Sequence, residues 1–540
     1  MTRSSIVTIF TLLLSSGWNG AAAAEPTAPA QLALTLNQRL ARELPATRDE
    51  AAGRCNDETY LRRVTLDLVG RNPSIAEITA FGLDPDPAKR ALSAARLLAD
   101  KNYGENWANY WRDVIMYRRS HDRAQIANAA LTSYLTEELN KNTSWDKLAS
   151  SFITAEGDVT EDGRAAIFMA QEGRPEETVA EIARIFLGIQ IQCAQCHDHP
   201  TDRWKREQFH ELAAFFPRVA MRPSLDKTKR TFEIVASDNF ARFNRPMNDN
   251  RFRGTAEHHM SDLEDPTATG KLMQPKFFVT GQTLKIGSTD EQRRAELARW
   301  LTSPDDEWFA KAIVNRLWSE LVGEGFYEPV DDIGPDRECS APETLALLSE
   351  QFVASGHDLK WLMLTIVSTD AYQQRSQQRR TPAEQPFTAN VAQRLRADQI
   401  YNNLIAALDL PDTAGGAGRG PYAANRSARG NFNTIFGYDP SARRDEIASS
   451  IPQALAMMNS PAINGAINAR GRTGLGQLLR EVSDDRALIT ELYLKSLARE
   501  PSPSEVQTCL LYIKEVNNRA EAFEDLQWSL VNSTEFLHRK

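Results

Sequence analysis

Cysteine is scarce in this sequence, with five residues among 540: Cys55, Cys193, Cys196, Cys339 and Cys509. So few cysteines exclude a scaffold held together by many disulfides, which is typical of small secreted domains. Two of the five belong to a Cys-x-x-Cys-His motif, so the remaining three can form at most one disulfide and leave one thiol over. The cysteines therefore require a specific chemical explanation.

A surplus of basic residues is also absent. The chain has 63 Lys and Arg against 72 Asp and Glu, which gives a formal net charge of −9 and a pI of about 5.6. Proteins that bind nucleic acids need clustered Lys and Arg to neutralise phosphates. We see no basic stripe in the sequence, and we therefore expect no nucleic-acid partner.

Long apolar runs are missing as well. No stretch approaches the roughly 18 apolar residues that a membrane-spanning helix needs, so no transmembrane anchor is expected. A short apolar run, Ile6–Leu14, follows Arg3 and precedes the small residues Ala21–Ala24. This order is typical of a secretory signal. We predict a signal peptide at residues 1–24, cleavage near Ala24, and export to the periplasm or the extracellular space. An uncleaved N-terminal anchor is the alternative.

Apolar residues recur mainly at helical spacing. The segment Asn102–Arg118 places Trp107, Trp111 and Ile115 on one helical face. The same reasoning predicts two helices within Arg299–Leu321, separated at Ser303–Asp305 with Asp305 as the N-cap, and a helical hairpin formed by Asp484–Ala498 and Ser502–Val516. The predicted fold class is therefore mainly α.

The length of the chain favours two or three domains. We predict a signal peptide at 1–24, an N-terminal helical domain at 25–236, an irregular connection at 237–290 and a C-terminal helical domain at 291–540. Two strand-like runs, Thr231–Val235 and Lys276–Thr280, flank the polar part of the connection, so minor β structure is expected there.

A glycine-rich segment lies at 412–430 in the C-terminal domain. Glycine runs cradle phosphate when a strand precedes them and a helix follows. Here a predicted helix precedes Gly415–Gly420, Pro421 follows, and the Lys-Ser/Thr pair of a phosphate-binding loop is absent. We predict a flexible loop.

The motif Cys193-Ala194-Gln195-Cys196-His197 is the attachment signature of c-type haem. On a helix, positions i, i+3 and i+4 share one face. Both thiols can then form thioethers with one macrocycle while the imidazole of His197 is the axial ligand of its iron. We predict one covalent haem, a helix that starts near Glu177 and carries the motif at its C-terminal end, and a concavity beside that end.

Three other interpretations of the motif stay open. Zinc could be bound by the two cysteines with His197 or His199, although structural zinc sites usually have a second pair of ligands. A thioredoxin-type dithiol would need a βαβ context. The third alternative is a plain disulfide or an inert pair.

Several segments of the sequence carry a family resemblance. They read YLRRVTLDLVG at 60–70, YGENW at 103–107, QCAQCHDHPTDRW at 192–204, LTSP at 301–304, VNRLW at 314–318, EPVDDIG at 328–334, PQAL at 452–455 and LVNSTEF at 530–536. Through these segments the chain resembles the planctomycete-type cytochrome c family, followed by the C-terminal companion domain of that family. The resemblance implies periplasmic redox biology and an exported redox or scaffold protein as partner. Thr201 departs from the family pattern, which usually has an aromatic residue there.

Residues close to the motif are candidates for supporting roles. His199 and Asp198 follow the motif directly, and Asp202 and Arg203 lie a few residues further on. We expect Arg203 to pair with haem propionates and an aspartate to orient His199, with solvated loop charges as the alternative. Five residues are candidates for a sixth iron ligand: His210, Met221, His258, His259 and Met260.

Asp331 and Asp332 form an adjacent acidic pair. Such a pair suggests acid-base chemistry, whereas the neighbouring Pro329 and Gly334 favour a turn or a helix cap.

The function that this sequence predicts is periplasmic electron transfer through one covalent haem. A haem-dependent oxidoreductase with an open iron site is one alternative. A haem-free or zinc-stabilised module that binds another exported protein is the other.

Overall fold

The computed structural model describes residues 26–45, 52–226, 228–238, 254–265, 267–377, 385–410, 427–443, 447 and 449–540. The predicted signal peptide and residues 412–426 of the predicted glycine-rich loop lie outside them.

Helices dominate the described residues, which confirms the predicted fold class. The helices before the connection are α1 Pro29–Glu43, α2 Asp57–Val69, α3 Ile75–Leu83, α4 Lys89–Leu98, α5 Asn102–Met116, α6 Asn128–Asn140, α7 Trp145–Ile153, α8 Ala166–Ala170, α9 Pro175–Ile182 and α10 Arg206–Ala213. Those after it begin with α11 Asp290–Leu301, α12 Glu307–Val322, α13 Pro342–Ala354, α14 Leu359–Val367, α15 Asp370–Gln373, α16 Ala397–Leu408 and α17 Ala428–Phe436. The last are α18 Ile451–Asn459, α19 Pro461–Ile467, α20 Gly474–Glu481, α21 Asp485–Leu497, α22 Pro503–Val516, α23 Arg519–Val531 and α24 Thr534–Leu537.

The sheets are small. An antiparallel sheet in the order β1-β3-β2 consists of β1 Gly157–Asp158, β2 Val219–Pro223 and β3 Phe232–Ala236. Three two-stranded ladders pair β4 His259–Met260 with β5 Lys271–Leu272, β6 Ser376–Gln377 with β7 Asn390–Val391, and β8 Gln393–Arg394 with β9 His538–Arg539.

One of the two predicted strands is present and the other is not. Strand β3 occupies the predicted run Thr231–Val235, shifted by one residue. The predicted strand Lys276–Thr280 is wrong, because only Lys276 makes an isolated bridge, to Thr283. The chain turns at Gly281, whose φ of +80° ends any extended segment there.

Side-chain caps explain where several helices begin. Asp306 rather than the predicted Asp305 caps α12, and its carboxylate accepts a hydrogen bond from the Trp308 N–H at 2.9 Å. The predicted hairpin is confirmed as α21 and α22. Ser502 and Glu505 form a capping box at the start of α22, which satisfies two free N–H groups of its first turn.

Buried apolar side chains form two clusters. The first runs from Leu32 to Phe387 and so includes side chains of helices α11 to α14 as well as those of the N-terminal half. The second runs from Leu395 to Phe536 and adds Leu66. Helix α12 packs against Ala183–Leu187, the segment that leads to the motif, while α11, α13 and α14 pack against other helices of the N-terminal half. The predicted domain boundary at residue 291 stays a prediction about folding units.

Within the described ranges, none of the helices combines the length and the apolar character needed to cross a bilayer.

Candidate functional site

The helix that leads to the motif ends before it. Helix α9 continues as a π-helical turn, Ala183–Leu187, and stops at Gly188 with φ +68°. The prediction that the motif lies at the C-terminal end of this helix is therefore wrong. The left-handed conformation and close packing favour glycine at this stop, because a Cβ atom on Gly188 would lie 2.8 Å from Cδ1 of Ile333.

The motif lies on a separate short 3₁₀ helix, Ile191–Gln195, which Cys196 follows directly. Side chains three residues apart are eclipsed in a 3₁₀ helix. Accordingly Ile191 and Ala194 are both buried, whereas Cys193 and Cys196 are both exposed. Both thiols are free. We call Cys193–His197 the CxxCH turn.

His197 is exposed, and a hydrogen bond fixes its tautomer. Its Nδ1 atom lies 2.7 Å from the carbonyl oxygen of Asp198. A carbonyl oxygen only accepts, so Nδ1 carries the hydrogen. In the neutral ring the lone pair is then on Nε2, the atom through which such an imidazole can bind a metal ion.

A pair of buried histidines, His210 and His258, is hydrogen-bonded to the backbone of the CxxCH turn. The Nε2 atom of His210 lies 3.0 Å from the carbonyl oxygen of Gln195, and its Nδ1 atom lies 2.9 Å from Nε2 of His258. Because the Gln195 carbonyl accepts, His210 donates from Nε2 and accepts at Nδ1, and His258 donates to it. The two rings are stacked with centroids 5.1 Å apart.

Electrostatics keep this histidine pair neutral. Burial lowers the pKa of His258 to about 3, with His210 and His259 adding to the shift. Burial also lowers the pKa of His210, although the Gln195 carbonyl opposes that change. The neutral pair links the backbone of Gln195 in the turn to the connection, where His258 lies.

A buried ionic cluster fixes the segment just before the turn. Asp331 is fully buried and accepts from Gln190 at 2.8 Å and from Arg184 at 3.1 Å, while Arg316 lies 3.7 Å away. Ser441 accepts hydrogen bonds from both arginines, at 2.9 and 3.0 Å. We call these five residues the Asp331 cluster.

The charge of Asp331 is retained despite its burial. Burial alone would raise the pKa of this carboxyl group, but Arg184, Arg316 and Arg118 lower it below its ordinary value. Asp331 lies in a turn, as one of the two sequence interpretations holds, yet its carboxylate serves neither as a cap nor as an exposed acid. Asp332 is half-buried and pairs with Arg337 at 3.1 Å.

The segment around Asp331 contacts the chain on both sides of the turn. Before it, the Ile333 N–H donates to the Gly188 carbonyl at 2.6 Å. After it, Arg337 donates to the Thr201 hydroxyl at 3.1 Å, and its Nε atom lies 4.0 Å from the Asp202 carboxylate. The stretch at 328–337, which includes one of the segments that carry the resemblance, therefore contacts the chain on both sides of the CxxCH turn.

The loop after the turn is closed by local contacts. The exposed carboxylate of Asp198 accepts from the Arg206 N–H and from Lys205, both at 3.0 Å, and these hydrogen bonds lower its pKa. The His199 N–H donates to the Trp204 carbonyl at 2.8 Å. Exposed Arg203 lies 3.6 Å from Asp336. The structure thus brings Asp198, His199 and Arg203 beside the motif as exposed or half-exposed groups.

The five candidates for a sixth iron ligand are placed differently. His210 uses both ring nitrogens in the histidine pair. His258 donates from Nε2, and its Nδ1 atom lies 3.9 Å from Glu176. Met221 is fully buried in β2, while His259 is exposed and Met260 half-buried in β4. The connection nevertheless reaches the motif, because Arg206 donates to the Ser261 carbonyl at 2.6 Å and to the Gln195 carbonyl at 3.3 Å.

Two observations concern what surrounds the turn. Among the described residues, no three His, Cys, Asp or Glu side chains converge in a way that could hold a metal ion. Two cavities lie elsewhere, one near Asp67 and Arg396 and one between α5, α6 and α17. The predicted concavity beside the motif is neither of these.

Sequence reasoning missed the supporting residues. Nothing in the spacing of Arg184, Asp331 and Ser441 indicates that they meet, and the sequence offers His210 and His258 only as candidates for a sixth iron ligand, not as partners of each other. In the sequence, the one indication of these supporting residues is the acidic pair Asp331-Asp332, in the segment at 328–334 that carries the family resemblance.

Two family models match successive parts of the chain. Residues 35–221 match a family model described as PSCyt2, protein of unknown function (DUF1549). Residues 293–448 match a second one, described as PSD1, protein of unknown function (DUF1553). No curated protein and no solved structure matched the chain.

Proposed function

The chain belongs to the proteins in which a PSCyt2 domain precedes a PSD1 domain, and on that premise we propose that it is an exported c-type cytochrome that transfers electrons through one covalent haem. The observation that carries the proposal is the CxxCH turn, with two free, exposed thiols three residues apart and an exposed imidazole.

The donor set of the turn fits haem c. Cys193 and Cys196 would supply the two thioether sulfurs, and His197 would bind the haem iron through Nε2. The hydrogen bond from His197 to the Asp198 carbonyl leaves that nitrogen available. When bound, the group supplies one-electron redox chemistry, while the chain anchors it and orients the imidazole.

Zinc fits this turn less well. A structural zinc ion takes four protein ligands in a tetrahedron, and no cluster of even three suitable side chains is found in the part of the chain that the structure describes. A haem brings four nitrogen ligands of its own, so one histidine and two thiols are enough.

The test is haem staining of the exported protein after denaturing electrophoresis. The full chain is produced in a bacterial strain with haem-attachment machinery. We expect a stained band and one haem per chain in the pyridine haemochrome assay. Cys193→Ser/Cys196→Ser should remove the stain, whereas the matched control Cys339→Ser, outside the turn, should keep it. A colourless wild-type protein contradicts the proposal and favours the haem-free or zinc-stabilised binding module.

A haem-dependent oxidoreductase is the second candidate. It is favoured by the engagement of both ring nitrogens of His210 and by the burial of Met221 in β2. Carbon monoxide binding to the ferrous protein separates the two functions, because only an open iron position binds it readily. Rapid binding supports the oxidoreductase, and no binding supports electron transfer.

A further inference from the structure

A second site lies between the two apolar clusters. Helices α5 and α6 form one wall of a cleft, and α17 with the start of α16 forms the other. The cleft has a volume of about 770 Å³. Ligand sites have volumes of this order and occur preferentially where two packing units meet.

Most of the side chains that line the cleft carry hydrogen-bonding groups, while carbon atoms contribute about half of its surface. Typical pockets for small molecules are lined predominantly by apolar side chains. Here amides and hydroxyls line both walls, and they include Asn109, Asn128, Thr132, Ser133, Asn433 and Thr434. A ligand that fits this lining carries many donors and acceptors of its own.

Most charged side chains of the cleft already have charged partners in the protein. Arg112 donates to Asp113 at 2.7 Å, and Asp398 accepts from buried Arg396 at 3.2 Å. Arg429 donates to Asn402 at 2.7 Å. Because most of these charges are matched by an opposite charge within the protein, a neutral ligand is favoured over an ionic one.

Two tyrosines complete the lining. Tyr117 is 48% exposed, and Tyr438 is half-buried on the opposite wall. A tyrosine ring combines an apolar face with a polar edge. Such a surface suits a ligand that presents C–H groups on one face and hydroxyls around its edge.

We propose that this cleft binds a neutral oligosaccharide. Sugar hydroxyls both donate and accept, which matches the mixture of amides, hydroxyls and paired charges, and sugar rings present C–H faces to the tyrosines. The proposal does not depend on haem attachment.

The test uses the full-length exported protein on an array of neutral and sulfated glycans, followed by calorimetric titration with the neutral oligosaccharides that bind. We expect a neutral oligosaccharide to bind more tightly than its monosaccharide. Ala129→Trp places an indole in the cleft and should weaken that binding by roughly tenfold or more. Ala91→Trp, at an exposed position of α4 outside the cleft, is the matched control and should keep the wild-type affinity.

Ser133→Trp, on the same wall of the cleft, is the second filling variant and should lose affinity in the same way. Thermal unfolding identifies a variant that fails to fold. The proposal is overturned if no neutral oligosaccharide binds, if only sulfated glycans bind, or if both folded filling variants keep wild-type affinity.

Discussion

The CxxCH turn and the Asp331 cluster beneath it are held in opposite ways. In the turn, the side chains of Cys193, Cys196 and His197 are exposed, and the protein fixes mainly the backbone. In the cluster, the carboxylate of Asp331 is fully buried and charged, and the arginines around it include Arg184, which is 147 residues away in sequence. The difference shows that the groups suited to chemistry stay accessible, while residues remote in sequence set their position.

The largest loss of folding stability is expected from a substitution in the buried Asp331 cluster. Asp331→Ala removes the acceptor of Arg184 and Gln190 and leaves the buried charge of Arg316 without its nearest carboxylate. Breaking a buried ion pair in this way costs about 3–5 kcal/mol. The free energy of unfolding in urea measures the loss.

Asp332→Ala is the matched control, because Asp332 is adjacent in sequence but half-buried. Its pair with Arg337 should contribute at most about 1 kcal/mol. Equal losses for the two variants would mean that the buried cluster is not what holds the segment.

The histidine pair is expected to make a smaller contribution to the free energy of unfolding, and this contribution depends on pH. The pKa of His258 is about 3 in the folded protein, below its ordinary value of 6.5. The unfolded chain therefore binds the proton first as pH falls. The stabilisation by neutral His258 is complete above pH 6.5 and decreases by about 1.4 kcal/mol per pH unit as pH falls from 6.5 towards 3.

Urea unfolding at several pH values between 7 and 4.5 tests this dependence. His258→Phe should show a shallower loss of stability with falling pH than the wild-type protein. The control is His121→Phe, at an exposed position, which should keep the wild-type slope. An unchanged slope in His258→Phe would show that the buried ring does not govern the acid response.

A still smaller loss of stability is expected from a substitution at Gly188, where the helix before the turn ends. Gly188→Ala imposes a left-handed conformation on alanine, which costs about 1–2 kcal/mol, and brings its Cβ atom within 2.8 Å of Ile333. Gly281→Ala is the control, since Gly281 also has positive φ but a Cβ atom there would have nothing within 4 Å. Thermal unfolding should show a larger loss for Gly188→Ala. Equal losses would show that the close contact with Ile333 does not contribute to the destabilisation.

The smallest change in folding stability is expected from substitutions in the CxxCH turn itself. In the haem-free protein, Cys193→Ser/Cys196→Ser should change the free energy of unfolding by less than about 0.5 kcal/mol, because both thiols are exposed. Denaturant titration measures it. A loss of several kcal/mol would indicate that the thiols already hold the fold together, as in a disulfide or zinc site.

Much of the fold follows from sequence because its signals are local. The helical spacing of Trp107 and Trp111 predicts α5, and the Ser502–Glu505 capping box marks the start of α22. These patterns depend on residues within one or two turns of each other. The missing strand at Lys276–Thr280 shows the limit, since a short apolar run is compatible with a turn that a following glycine completes.

Only the local part of the candidate site can be predicted from the sequence, because sequence patterns report on residues that are close together along the chain. The chemical groups of the CxxCH turn are adjacent in sequence and are recognised directly. Their supports are not, because Arg184 and Asp331 are 147 residues apart and His210 and His258 are 48 residues apart. The helix stop at Gly188 also depends on packing against Ile333, which the local sequence does not contain.

The most direct test of the central claim is the intact mass of the exported full-length chain, measured after denaturation and acid-acetone extraction. The account predicts a mass greater by one haem group in the wild-type protein and no added group in Cys193→Ser/Cys196→Ser. A wild-type chain produced alongside haem-attachment machinery that shows only the polypeptide mass would contradict the assignment of the CxxCH turn as a haem site.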